Sequence, residues 1–197
     1  TTAAVAAAAD AGAGAESCIA ANPGWFFTHA EQVAIEQDKD HAFTAAMKQQ
    51  VRELTLVVEP TGDAAGRITE ISAQLTGAAG TLDFATDTYG AASSVVLPFT
   101  KITEGADAGK WKATVRLLGV TGSEQLLKGE IRYADGNPLP TTLESDLSKA
   151  LKEFNAKKTE PLTLGGTLVE TPEGMEVDGA GITGWKPIDG GEVGADL

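Results

Sequence analysis

The sequence is poor in the residues that enzymes use most at their centres. Its 197 residues include one cysteine, Cys18, and two histidines, His29 and His41. A single cysteine forms no intrachain disulfide and no thiolate metal cluster, and it leaves the redox compartment undetermined. A catalytic thiol needs a histidine and an orienting group beside it. Both histidines fall in segments that read as edge structure, so Cys18 reads as incidental within an Ala/Gly-rich stretch. No run approaches the roughly 18 consecutive apolar residues of a membrane-spanning helix. Positive charge is scarce too: 15 Lys and Arg against 28 Asp and Glu leave a formal net charge of −13. That field repels phosphate backbones and anionic head groups, which argues against nucleic acid as a partner.

Signature motifs are missing as well. There is no G-x-S-x-G elbow to strain a serine nucleophile. Asp83, Asp87, Asp135 and Glu173 lie in different turns, without the D-x-D-x-D-G spacing that wraps calcium in one loop. Calcium held at the surface stays open as a structural ion. The two acids of a hydrolase meet only in space, so such a pair also stays open, with solvated charge the simpler account of each carboxylate. Residues 179–184 satisfy G-x-G-x-x-G, but Trp185-Lys186-Pro187 follows where a dinucleotide site needs a helix, so the run reads as a glycine-softened strand or bulge. Trp111 and Trp185 would make a sugar-binding platform only if exposed, and both sit in alternating apolar sets that predict burial. No catalytic, cofactor-binding or metal residue is therefore assigned.

What is present is a core: 42% of the residues are hydrophobic, enough for a folded domain. Residues 1–22 are mostly Ala and Gly, which bury little area per residue. They lack the basic start and Leu-rich centre of an export signal. We read them as the inside of a longer precursor, either an interdomain connector or the last strand of a preceding domain. Asn22-Pro23-Gly24 is a turn, and Trp25-Phe26-Phe27 after it marks where packing begins.

From there the dominant period is two. Val33 and Ile35, then Ala42, Thr44 and Ala46 beyond the polar Gln37-Asp38-Lys39-Asp40 turn, predict two strands of a hairpin. Residues 51–59 put Leu54, Leu56 and Val58 on one face, and Pro60-Thr61-Gly62-Asp63 ends that strand. Residues 67–75 alternate until Gly77-Ala78-Ala79-Gly80 breaks them before Thr81. Residues 95–100 contain Pro98, which predicts an edge or a bulge. Trp111, Ala113, Val115 and Leu117 alternate with Lys112, Thr114 and Arg116, and Leu127, Gly129, Ile131 and Tyr133 form the next inward set. Asp135-Gly136-Asn137-Pro138 reverses the chain. Leu147, Ala150, Leu151 and Phe154 then follow helical spacing, predicting one short amphipathic helix over residues 146–156 with Ser145 as its N-cap. Leu162, Leu164 and Leu168, the turn Thr171-Pro172-Glu173-Gly174 and residues 175–188 predict a closing hairpin.

Eight to ten short strands with frequent turns and one helix predict an all-β fold, a β-sandwich. The expected domain spans residues 23–190, with 191–197 a flexible tail.

Several stretches in order carry a resemblance. Residues 47–60, Arg67-Ile68, residues 73–83, 111–119 and 162–172 resemble the second domain of FimB-like fimbrial anchor and accessory subunits of Bacteroidales. The likeness implies a transthyretin-like β-sandwich with no catalytic residues. It also implies a lipoprotein precursor of two such domains, exposed on the cell surface at the outer membrane. Partners would be other fimbrial subunits, joined by strand addition; contact with the membrane would run only through a lipid anchor in the missing N-terminal part. Cys18 lacks the lipobox context of an anchor cysteine, so lipidation is not carried onto it. The alternative is a secreted carbohydrate-binding or adhesion module built on a similar sandwich.

Overall fold

A computed structural model describes residues 2–4, 17–19, 22–63, 65–136, 138–170 and 179–188. Strands dominate it: β1 (Thr2–Ala4), β2 (Cys18–Ile19), β3 (Phe27–Thr28), β4 (Lys48–Gln49), β5 (Arg52–Pro60), β6 (Ile68–Asp83), β7 (Thr88–Pro98), β8 (Thr100–Lys101), β9 (Trp111–Leu117), β10 (Leu126–Tyr133), β11 (Thr141–Asp146), β12 (Leu162–Glu170) and β13 (Gly179–Pro187). Their period-two sequences explain the choice. In β9, Trp111, Ala113, Val115 and Leu117 are buried while Lys112, Thr114 and Arg116 are only partly covered. In β5, Leu54, Leu56 and Val58 are fully buried.

All strands except β3 and β4 belong to one sheet in the order β2-β7-β6-β10-β11-β13-β12-β5-β9-β8, with β1 added to β6. Pairing is antiparallel except at β2–β7, β11–β13 and β12–β5. The β11–β13 link holds only Thr142 opposite Gly179 and Leu143 opposite Ala180, yet it joins the two halves of the sheet. Those halves share one core: Leu75, Leu97, Leu127 and Ile131 from one pack in a single cluster with Leu54, Leu56, Val115 and Leu164 from the other. Burying each such side chain contributes roughly 1.5–3 kcal/mol, which is why the alternation dictates which face turns inward.

Two glycines set local geometry. Gly77 does not break the strand as expected; β6 runs on through it. Its φ of +71° accompanies a bulge between Leu75 and Ala78 against β7, and the extra residue is absorbed where only glycine adopts that conformation cheaply. At Gly129 the constraint is space: an added Cβ would fall on the Ser72 carbonyl oxygen and 2.7 Å from the Ala73 Cα. Pro98, read as an edge or bulge residue, ends β7. The chain turns at Phe99 and crosses to β8, at the far end of the sheet path.

Three other expectations are corrected. The helix predicted over residues 146–156 is a succession of turns closing in a 3₁₀ turn at Phe154–Ala156. Its stripe is nonetheless buried, since Leu147, Leu151 and Phe154 face the core. Continuous helix is pre-empted because Asp146 belongs to β11 and its Oδ1 accepts hydrogen bonds from both the Ser148 N–H (2.8 Å) and hydroxyl (2.5 Å), an Asx-type alternative to helical bonding. Ser145 is not an N-cap; it lies in β11 and its hydroxyl donates to the Ile182 carbonyl at 2.6 Å. The hairpin predicted around residues 32–47 has no ladder, because no core lies beneath its alternating side chains.

Candidate functional site

Structure disperses the chemistry that the sequence brought into question. Cys18 sits in β2 opposite Ser94, while His29 contacts Ala46 and Glu31 and His41 contacts Glu36. Trp111 is only 4% exposed, and the Trp185 ring nitrogen donates to Ser145 Oγ at 2.9 Å; neither is a free platform. The G-x-G-x-x-G run lies inside β13, where Gly184 has a φ of +70° at a register shift against β12. Asp83 caps its own turn, accepting the Ala85 N–H at 2.9 Å, a bond that holds its pKa below the ordinary value. Glu173 lies outside the described residues. Among the described residues no group of three or more His, Cys, Asp or Glu gathers as a metal site. An open groove of about 590 Å³ beside the β6 bulge is lined by small or polar residues such as Thr76, Ser94, Ser123 and Lys128.

The feature that stands out is a projection. From His29 to Lys48 every residue is exposed, and the chain leaves and re-enters the body through the short β3–β4 ladder, where Phe27 faces Gln49 and Thr28 faces Lys48. Few bonds cross this arm. His29 Nδ1 lies 3.0 Å from the Ala46 carbonyl, and His41 Nε2 lies 2.9 Å from the Glu36 carbonyl. Asp38, at φ +61°, makes the tip reversal. Val33, Ile35, Phe43 and Met47 stand in solvent along it, with Trp25 and Phe27 half-exposed at its root. The Arg116 guanidinium sits 5.6 Å from the Trp25 ring centroid, a cation–π contact that orients the aromatic group without covering it. Phe26 alone of the aromatic trio turns inward, against the small cluster of Val51, Ala79, Leu82 and Leu118.

The root of the arm is polar and tied by hydrogen bonds. The Lys158 side chain is 6% exposed, and its ammonium donates to Gln50 Oε1 at 2.6 Å. Gln50 Nε2 in turn donates to Thr28 Oγ1 at 2.6 Å, and Gln49 Nε2 donates to the Lys158 carbonyl at 2.7 Å. Asp87 lies 3.4 Å from both Lys158 and Lys48, and the Lys158 ammonium lies 4.9 Å from the Tyr89 ring centroid. Burial pushes the Lys158 pKa down, opposed by Asp87. The Asp87 pKa is lowered although its own burial works the other way, because Lys158 and Lys48 together outweigh that burial. Desolvation disfavours the Lys158 ammonium before any partner repays it. The sequence gives no sign of this junction, because nothing local distinguishes a buried lysine from a surface one.

The sheet ends in minimal strands. β2 outside β7 and β8 outside β9 are two residues long each, and the Asn22 side-chain oxygen accepts the Arg116 N–H of β9 at 3.2 Å. The strands inside these margins, β7 (Thr88–Pro98) and β9 (Trp111–Leu117), are much longer than the strands that flank them.

No protein-family profile matches the chain, and no curated protein matches it by sequence. Solved structures share its fold. The fimbrial anchor protein Mfa2 from Porphyromonas gingivalis is similar over 83% of this chain and 57% of its own, at 16% identity and a TM-score of 0.50. A candidate adhesin from Bacteroides ovatus is similar over 88% of this chain and 62% of its own, at 11% identity and a TM-score of 0.53. The chain therefore spans roughly three fifths of the length of either, and at these identities the likeness is one of fold. These neighbours are of the kind that the sequence resemblance indicates.

Proposed function

We propose that this chain is a non-enzymatic fimbrial anchor or accessory subunit of the cell surface, contributing to fimbria assembly and adhesion through β-strand contacts with other subunits. The observation that carries this reading is the all-β body shared with a fimbrial anchor protein, whose sheet stops in two-residue strands at both ends. Main-chain groups past β2 and β8 offer a partner's strand a ladder to join, and strand addition needs no cofactor.

In this reading residues 23–190 form a transthyretin-like sandwich domain. Residues 1–22 lead into it from a preceding unit, and a lipid anchor at the outer membrane lies in that unit. The pairing of Thr2–Ala4 with Asp83, Leu82 and Thr81 supports a lead-in that lies along the domain it enters.

The test is recovery of fimbrial shaft subunits from cell envelopes on the tagged protein, with and without its upstream domain. Co-purification that survives detergent washing and withstands moderate salt is expected. Recovery of no subunit in either form would move the reading to a secreted binding module.

A further inference from the structure

We infer that the arm over residues 29–48 is itself a docking element, and that its occupant is a partner protein presenting an apolar strip rimmed by lysine or arginine. The inference rests on the assembly role proposed above and names the element and the partner chemistry that role requires.

Burial comes first. Twenty consecutive exposed residues gain little from the fold of their own body, and exposed loops of this length outside regular structure are usually functional or disordered. This one is neither loose at its root nor polar along its length. Lys158, Gln50 and Thr28 fix the root, and Val33, Ile35, Phe43 and Met47 project from the arm, Ile35 at 73% and Phe43 at 58% exposure. With Trp25 and Phe27 these are six of the nine large apolar side chains exposed among the described residues. Apolar side chains scattered singly need no explanation; a cluster concentrated on one projection marks a contact surface.

Charge selects the partner. The arm carries Glu31, Glu36, Asp38 and Asp40 against Lys39 and, at its root, Lys48, which pairs with Asp87 of the body, and the whole chain stands at −13. A second copy docking arm to arm through a two-fold interface would set the same four carboxylates against each other, and like charges at a desolvating contact are repelled. A surface with apolar residues at its centre and Lys or Arg at its rim meets both demands, neutralising the carboxylates while it covers Ile35 and Phe43.

The test is site-specific photocrosslinking in the cells that make the protein, with a benzophenone amino acid at Ile35, at Phe43 or, as control, at the exposed Glu104. Both arm positions are expected to label one shared protein, at a peptide with apolar residues flanked by Lys or Arg, and Glu104 is expected to leave that protein unlabelled. Reversing the arm's charge with E31K, E36K, D38K and D40K together should lower the yield from Phe43 about tenfold or more, because it sets like charges against each other along the rim of the contact. An adduct to a second copy, an acidic target peptide, no adduct, or the same labelling from Glu104 would each overturn the inference. Labelling of a basic protein that is not a fimbrial subunit would keep the docking element and sink the assembly reading. Equal recovery of fimbrial subunits by the native and charge-reversed arms would do the opposite.

Discussion

The Ser145 hydroxyl lies 2.9 Å from the Trp185 ring nitrogen, which donates to it, and 2.6 Å from the Ile182 carbonyl, to which it donates. Both partners are on β13, while Ser145 is on β11. The relay therefore reinforces the parallel link between the halves of the sheet, where the backbone register spans only two residue pairs.

Ser145→Ala leaves the buried Ile182 carbonyl and the Trp185 N–H without this partner. A loss of about 1–3 kcal/mol is expected, the usual cost of stranding buried polar groups. Urea unfolding should show a lower midpoint with an unchanged slope, and Trp185 emission should shift in the native baseline. A variant as stable as the native chain would mean that the link does not depend on the relay.

Gly129→Ala should destabilise the fold by about 1–3 kcal/mol or more, the range for overpacking. The added Cβ meets the backbone of Ser72 and Ala73 in the neighbouring strand, and backbone gives way less readily than a side chain. Thermal unfolding followed by circular dichroism reads the effect. A shift no larger than that of a surface substitution would show that β6 and β10 separate without cost.

Tyr89 gives an alkaline signature. Burial, then the Asp87 carboxylate, pushes its phenol pKa well above the ordinary value. The folded state thus keeps a proton that the unfolded chain releases near pH 10. This contribution is intact below that pH and is lost as pH climbs through it toward the folded-state value. Lys158 acts oppositely, since burial lowers its pKa; stability withheld at lower pH returns as pH rises toward the ordinary lysine value. Tyr89→Phe removes only the first effect, so its alkaline unfolding midpoint should lie above that of the native chain. An unchanged or lower midpoint would contradict the assignment.

Ile35→Asp combined with Phe43→Asp should change global stability by no more than about 0.5 kcal/mol, as for surface substitutions. Neither side chain is covered by the body. Chemical denaturation of the double variant is the measurement. A loss of several kcal/mol would show that the arm packs on the domain and does not stand away from it.

Legibility followed burial. Where one face of a strand meets the core, as at Leu54, Leu56 and Val58 or at Trp111, Ala113, Val115 and Leu117, alternation in the sequence located both strand and inward face. The stripe Leu147, Leu151 and Phe154 was also read correctly as buried, but its bonding was not. Side-chain spacing reports which residues face the core, and a run of turns meets that demand as well as a helix does. No alternation marks β11, because Leu143 is its only large apolar residue; β10 and β13 recruit it from either side. The candidate docking arm carried the period of a hairpin in Val33 and Ile35, yet nothing in that period says whether a core waits beneath.

By itself the sequence determined an all-β chain, acidic and without a local catalytic motif, because alternation, charge and motif spacing are properties of neighbouring residues. Tertiary structure alone decided that Lys158 is buried against Gln50, that Trp25 stays half-exposed, and that residues 29–48 stand away from the body. Those outcomes depend on which distant segments meet, 108 residues apart for Lys158 and Gln50, and no local pattern encodes such a meeting.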